Sequence, residues 1–414
     1  MSEWKEYKLG DIIDVRDGTH DSPKQKDIGK PLVTSKHIKG GKIDLSTAYL
    51  ISIDDFDKIN KRSKVDKWDV LFSMIGTIGE MVIIKEEADF AIKNVGLFKA
   101  KDEYTSKWIY YYLKSPKAQS EILSSLKGST QQYISLTDLR NFPITYPPIK
   151  EGWKIIQILS SLDDKIELNN KINQELEALA QTLFKRWFID FEFPNENGEP
   201  YKSSGGEMVD SELGEIPKGW EVRKLDNVSR ITIGRTPPRQ EHQWFSENSS
   251  DIKWISIKDM GKCGTFVINS SEFLTKEAIS KFNVPIIENN TVIISFKLTV
   301  GRISITTEKM VSNEAIAHLN LHDKQISPEF IYLYLKQFDF DSLGSTSSIA
   351  TAVNSKAIKE LKFIYPDIRI SDAFQGLVTL IFLHILNNTL EIQQLTSLRD
   401  TLIPKLISGE LEVS

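Results

Sequence analysis

Apolar residues between Trp153 and Phe188 fall mostly at three- and four-residue steps, at Ile155, Leu159, Leu162, Ile166, Ile172, Leu176, Leu179 and Leu183. That spacing lays one apolar stripe along a long helix. The pattern returns between Phe374 and Ile407, at Ile381, Ile385, Ile392, Leu395, Leu398, Leu402 and Leu406. Each stretch predicts a helix of about thirty residues, roughly 45 Å long, and a stripe of that length requires a partner surface. Two such helices, one closing each half of the chain, predict a paired coil that serves as a rigid spacer. Periodicity alone leaves one alternative, two core helices of a single large domain.

The rest of the chain repeats itself. Trp4, Lys8, Leu9 and Gly18 return as Trp220, Lys224, Leu225 and Gly234, and Val70, Ser73, Thr77 and Gly79 return as Val292, Ser295, Thr299 and Gly301. Trp108–Lys114 aligns with Phe330–Lys336, Gly128-Ser129-Thr130 with Gly344-Ser345-Thr346, and Tyr146-Pro147 with Tyr365-Pro366. Collinear matches at shifts of 216 to 222 describe a duplicated unit, a globular domain followed by a long helix. The expected boundaries are a first domain over 1–148, a helix over 149–190, a linker over 191–217, a second domain over 218–366, and a helix with its tail over 367–414.

Each globular domain reads as mixed α and β. Short β-rich runs at Asp69–Phe72, Met81–Ile84, Thr291–Phe296 and Ile303–Thr306 are bounded by Gly, Asn and Lys clusters, as strands are. An amphipathic helix at Trp108–Lys114, and again at Phe330–Lys336, adds a covering layer. The fold class is α+β, with two pseudo-symmetric mixed α/β domains separated by two long antiparallel helices. The 191–217 stretch, rich in Pro, Gly, Ser and Asn and without periodicity, reads as a mobile polar linker.

Composition narrows the picture. A chain of 414 residues divides into two or three domains. The net charge is −5, but residues 191–217 carry seven acids against Lys202 alone. Setting aside that segment's −6 leaves +1 on the remainder, which permits contact with nucleic acid without arguing for it. The longest apolar run, around Leu377–Leu386, is interrupted by Thr379 and His384, so no membrane span is expected. The opening residues Met1-Ser2-Glu3-Trp4 predict no secretory signal, and the lone Cys263 leaves no internal disulfide and no multi-cysteine metal site. A cytoplasmic location is the expectation.

Catalytic motifs were sought and not found: no phosphate-binding loop, zinc helix, nucleophile elbow or Cys-x-x-Cys pair appears. His20, His37, His242, His318, His322 and His384 lack metal-ligand spacing and read as surface or turn residues. What recurs instead is polar loops. In the first half they offer Arg16, Thr19, His20 and Lys24, then Lys36, Ser73, Thr77, Ser129, Thr130, Gln131 and Gln132. In the second half they offer Arg235, Thr236, Arg239 and Gln240, then Lys258, Lys297, Thr299, Arg302, Ser345 and Thr346. Guanidinium, amide and hydroxyl groups on such loops suit phosphates and base edges. Each loop taken singly also reads as a solvated turn, and it is the recurrence in two copies that favours binding.

A family likeness rests on particular residues. Trp187-Phe188-Ile189-Asp190-Phe191-Glu192, followed by Asp210-Ser211-Glu212-Leu213-Gly214-Glu215-Ile216-Pro217-Lys218-Gly219-Trp220, resembles the join between the halves of type I restriction-modification specificity subunits. Gly18-Thr19-His20-Asp21-Ser22-Pro23 and Gly234-Arg235-Thr236-Pro237-Pro238-Arg239 resemble opening loops of their target-recognition domains, and Tyr146-Pro147-Pro148-Ile149 resembles the exit into the first spacer helix. Pro366-Asp367-Ile368 departs from the family pattern, which leaves the start of the second helix open. The resemblance implies a non-catalytic subunit whose two domains read the halves of a split site in double-stranded DNA. It implies methyltransferase subunits carrying S-adenosylmethionine and restriction subunits using ATP and Mg as partners, with no cofactor on this chain. Half-sites one helical turn apart lie about 34 Å from each other, within the reach of such helices. Two rivals stay open: a coiled-coil adaptor that binds only proteins, and a stand-alone enzyme with an unrecognised site.

Overall fold

The computed structural model describes residues 4–129, 132–344, 353 and 355–413. The chain forms two compact units, and the first of them is discontinuous. Unit 1 comprises Met1–Ile166 with Gln394–Ser414, and unit 2 comprises Glu167–Gln393.

Unit 1 is organised by a four-stranded antiparallel sheet in the order Asp14–Asp17, Val95–Lys99, Val70–Ser73, Met81–Ile83. Its inner strand Val70–Ser73 is buried along its whole length, as its unbroken apolar run Val-Leu-Phe demands. Unit 2 repeats the same order with Ser229–Ile233, Ile316–Leu321, Val292–Ser295 and Ile303–Thr306, then adds Phe266–Val267 in parallel. The amphipathic helices span Glu103–Lys114 and Pro328–Gln337, each beginning at a capped residue, Asp102 or Ser327. In each repeat the opening strand pairs antiparallel with the strand that leads into the long helix, Lys5–Lys8 with Pro143–Tyr146 and Glu221–Lys224 with Lys362–Tyr365.

The long helices run Ile149–Phe188 and Ile368–Ile407, forty residues each and about 60 Å long rather than 45 Å. They exceed the apolar stripe because proline-bounded starts and aromatic ends extend them into the globular cores. Asp367 caps the second helix, its carboxylate accepting from the Arg369 amide at 2.9 Å, which settles the start that sequence left open. The helices pack together antiparallel in each unit. Ile155, Ile156 and Leu159 share the unit 1 core with Ile403, Leu406 and Ile407. In unit 2, Ala180, Phe184, Trp187 and Phe188 share the core with Phe374, Val378, Phe382 and Ile385. The second helix is long and apolar enough to cross a membrane by length and composition, with 28% of that apolar stretch buried, including Phe374, Val378, Phe382 and Ile385 in the unit 2 core.

Between the aromatic ends the helix contacts turn polar. In unit 1 Arg399 donates to Asp163 at 2.6 Å, and Tyr111 donates to the other Asp163 oxygen at 2.9 Å. In unit 2 the Asn169 amide reaches Glu391 at 2.6 Å, and Asn388 donates to Asn173 at 2.9 Å. Further along, Glu177 accepts from Tyr332, Thr265 and Lys336. Desolvation pushes the Glu177 carboxyl up, but these three donors outweigh it and hold the group below its ordinary value.

Residues 191–217, expected to be a mobile linker, are structured. Phe191 and Phe193 are buried in the unit 2 core, and Met208–Ser211 pairs with Gly214–Pro217 as a hairpin. The polar composition reflects turns and exposed strand faces around those aromatic anchors.

Candidate nucleic-acid interface

Two loop clusters stand out in unit 1. The first surrounds Gly18, where an added Cβ would lie 2.4 Å from the Ile92 carbonyl oxygen, so only glycine permits this crossing. Beyond it, the exposed His20 lies 2.9 Å from Asp17 and 2.8 Å from Asn94. Arg16 is turned aside, bound to Asp14 at 2.6 Å and to the Arg62 carbonyl at 2.8 Å. Thr19 lines a small cavity with Pro23, Lys58 and Arg62. Lys24 and Lys36 are exposed.

The second cluster joins the turn after Val70–Ser73 to the loop at 127–134. Ile75 bridges Tyr133, and the Ile134 amide donates to the Met74 carbonyl at 3.1 Å. Thr77, Ser129 and Gln132 are exposed there. Ser73 is not: it is fully buried and donates to the Ile75 carbonyl at 3.2 Å, so it shapes the turn and presents nothing to a ligand. Thr130 and Gln131 lie outside the described residues, as do Ser345 and Thr346 in the second half.

Unit 2 builds the same clusters from other residues. At Gly234 a Cβ would meet the Asn313 carbonyl oxygen at 2.2 Å, matching the crossing at Gly18. Arg235 donates to the Phe282 carbonyl at 2.6 Å, and Thr236 bonds Glu314. Arg239 forms a two-pronged pair with Glu272, at 2.6 and 3.1 Å, with its guanidinium over the Phe245 and Trp254 rings at 4.2 and 4.3 Å. A planar cation held this way is rigid before any ligand arrives. Gln240 is exposed beside it.

In the second cluster Lys297 and Thr299 are exposed on a turn whose tip, Leu298, is also exposed and has φ of 65°. Its counterpart in unit 1 is Gly76, with φ of 80°. Lys258 is exposed on the short helix Ile257–Met260. Arg302 packs on that helix, donating to the Ile257 carbonyl at 2.6 Å, and serves structure more than contact.

Two of the histidines read as surface or turn residues are buried. His318 lies on the inner strand Ile316–Leu321, between Thr232 at 3.1 Å and Ser312 at 2.7 Å, and burial lowers its pKa to about 4. His37 is also buried, and burial lowers it as well. His318 sits on a strand flanked on both sides, by Ser229–Ile233 and Val292–Ser295, and His37 closes the short 3-10 turn Ser35–His37, placements that no local pattern reveals. Sequence reasoning also missed Lys281, which sits over the Trp244 ring at 4.3 Å beside the first cluster of unit 2. The basic-aromatic pairing was its one readable signal. No group of metal-binding side chains occurs among the described residues.

A family profile described as the type I restriction modification DNA specificity domain matches residues 1–178 and again 217–398. The chain is 30% identical over 437 residues to the MjaIX type I restriction enzyme specificity subunit of Methanocaldococcus jannaschii, covering 99% of this chain and 94% of that one. It is 25% identical over 472 residues to the HindI specificity subunit of Haemophilus influenzae, covering 99% and 100%. The crystal structure of a type I restriction-modification S subunit from M. genitalium superposes with a TM-score of 0.58 at 18% identity, covering 98% of this chain and 96% of that one, a likeness of fold. The chain belongs to the specificity subunits of type I restriction-modification systems, the non-catalytic subunits that determine which DNA target the complex recognises.

Proposed function

We propose that each unit reads one half of a bipartite site in double-stranded DNA through its two loop clusters, and that the paired helices fix the unread spacer. The observation that carries this reading is the recurrence of both clusters at matched places, around Gly18 and Gly234 and at the Gly76 and Leu298 turns, with different side chains exposed. Matched position with unmatched chemistry is what two different half-sites require. Arg239, held flat by Glu272 and two rings, suits a guanine edge, whereas the first cluster of unit 1 offers Thr19, His20 and Lys24.

Methyltransferase subunits, with S-adenosylmethionine, and restriction subunits, with ATP and Mg, are the proposed partners, assembled on a cytoplasmic complex. The exposed leucines of the second helix, Leu377, Leu380 and Leu383, support docking there, because contiguous apolar surface on a helix is normally covered. The test is selection of bound fragments from a random-duplex pool by the assembled complex. Two unlike motifs at one fixed separation are expected, and a single motif or a variable separation would overturn the reading.

A further inference from the structure

The two units finish their long helices in different ways. Both helices contain forty residues, so Ile149–Phe188 maps onto Ile368–Ile407 at a constant shift of 219. Past the first helix, in unit 2, Phe193 stacks on Trp220 at 4.9 Å and on Tyr201 at 4.6 Å, with Phe191 edge-on to Trp220 at 6.0 Å. Past the second helix, in unit 1, the same shift puts Glu410 and Glu412 in place of Phe191 and Phe193, and both are exposed. Trp4, the counterpart of Trp220, instead lines an open cavity of about 830 Å³ with Tyr112, Pro148 and Ile407. Unit 1 thus has the aromatic slot of unit 2 without its two phenylalanines, bordered on one side by its own Gly409, Glu412 and Val413.

We propose that this cavity receives a segment of another polypeptide bearing aromatic side chains at i and i+2 with a carboxylate beside them. The occupant is read from unit 2, where Phe191-Glu192-Phe193 fills the equivalent slot. There Phe191 turns the chain with φ of 58°, and both rings lie against Trp220, so the two aromatic side chains enter together. The rim agrees with an acidic guest: Lys117, Lys150 and Lys154 against Glu151 and Glu412 leave one positive charge in excess. Glu151 is engaged within the site, accepting from the Trp4 indole at 3.2 Å.

The probe is a fluorescent synthetic peptide with the sequence of residues 189–196, titrated against the full-length protein and followed by anisotropy. Saturable binding is expected, weakened at least about tenfold when both peptide phenylalanines are alanine. Glu410→Phe with Glu412→Phe gives the tail its own aromatic pair, so this variant should lose peptide binding and melt at a higher temperature. Lys154→Glu, a rim change that leaves the cores untouched, should weaken binding through the peptide carboxylates. Absence of saturable binding, or binding that persists in both variants, overturns the proposal.

Discussion

In the proposed reading, Arg239 of unit 2 is a base reader ordered in advance. Arg239 is already paired with Glu272 and stacked on Trp254, so its orientation requires no further ordering on binding. Arg239→Ala is expected to relax recognition at one half-site only, at a cost of about 1–3 kcal/mol. Binding measured on substrates altered in one half at a time checks this, and an equal loss on every sequence would instead make Arg239 a phosphate contact. His318 makes a prediction about pH. Its folded pKa of about 4 lies below its ordinary 6.5, so the neutral form belongs to the folded state and protonation favours unfolding. Stability from this residue is therefore present above pH about 6.5 and is lost as pH falls towards about 4, by roughly 3 kcal/mol. Denaturant unfolding of the protein and of His318→Asn across that window should show a shallower pH slope in the variant. At this scale the repeated glycines were legible, since Gly18 and Gly234 each answer to one backbone crossing. The buried histidines were not, because the burial of His318 depends on which strands flank its own and that of His37 on what covers the turn Ser35–His37.

For the helices, sequence revealed their existence and pairing but not which leucines face inward. Leu179 and Leu398, counted in the apolar stripe, are each 48% exposed, while Ala180 is fully buried and Arg399 turns in towards Asp163. A 3.6-residue turn drifts against a fixed repeat over forty residues, so a stripe read by eye loses its phase. The Asp163–Arg399–Tyr111 contact tests how polar pairing serves this element. Asp163→Ala leaves the Arg399 guanidinium with Asp400 alone and the Tyr111 hydroxyl without its acceptor, and should cost about 1–3 kcal/mol in urea unfolding. Asp163→Leu with Arg399→Met and Tyr111→Phe should recover most of that loss, because an apolar cluster of similar volume needs no compensating charge or acceptor. The ruler role is tested separately. Four residues, about one turn, inserted after Asn170 and after Leu390 should lengthen the preferred DNA spacer, measured by methylation of substrates with graded separations. An unaltered preference would remove the helices from the measurement of distance.

The whole molecule is interleaved. Unit 1 needs Ile403, Leu406 and Ile407 from the end of the chain to complete the core that contains Ile155 and Leu159. Sequence disclosed the duplication, but the natural reading of a duplication is two units in succession. Exchange of helix ends is a property of tertiary packing that no local pattern encodes. Deleting Gln394–Ser414 should therefore damage the unit made mostly of the opening residues, while unit 2 keeps its own core. Hydrogen exchange resolved by peptide should show protection lost in Val70–Ser73 and Val95–Lys99 but retained in Val292–Ser295. Uniform loss, or no loss in unit 1, would contradict the division.

That interleaving also has a consequence for synthesis. On the ribosome the opening unit cannot close when its own first 166 residues have emerged, because its last strip of core has yet to be translated. At about 5–20 residues per second, some 230 further residues mean a wait of roughly 10–45 s. Through that interval Ile155, Ile156 and Leu159 are uncovered on the nascent chain, a standing target for chaperones. A message broken late in its reading frame yields a product that quality control can recognise by the unit made first.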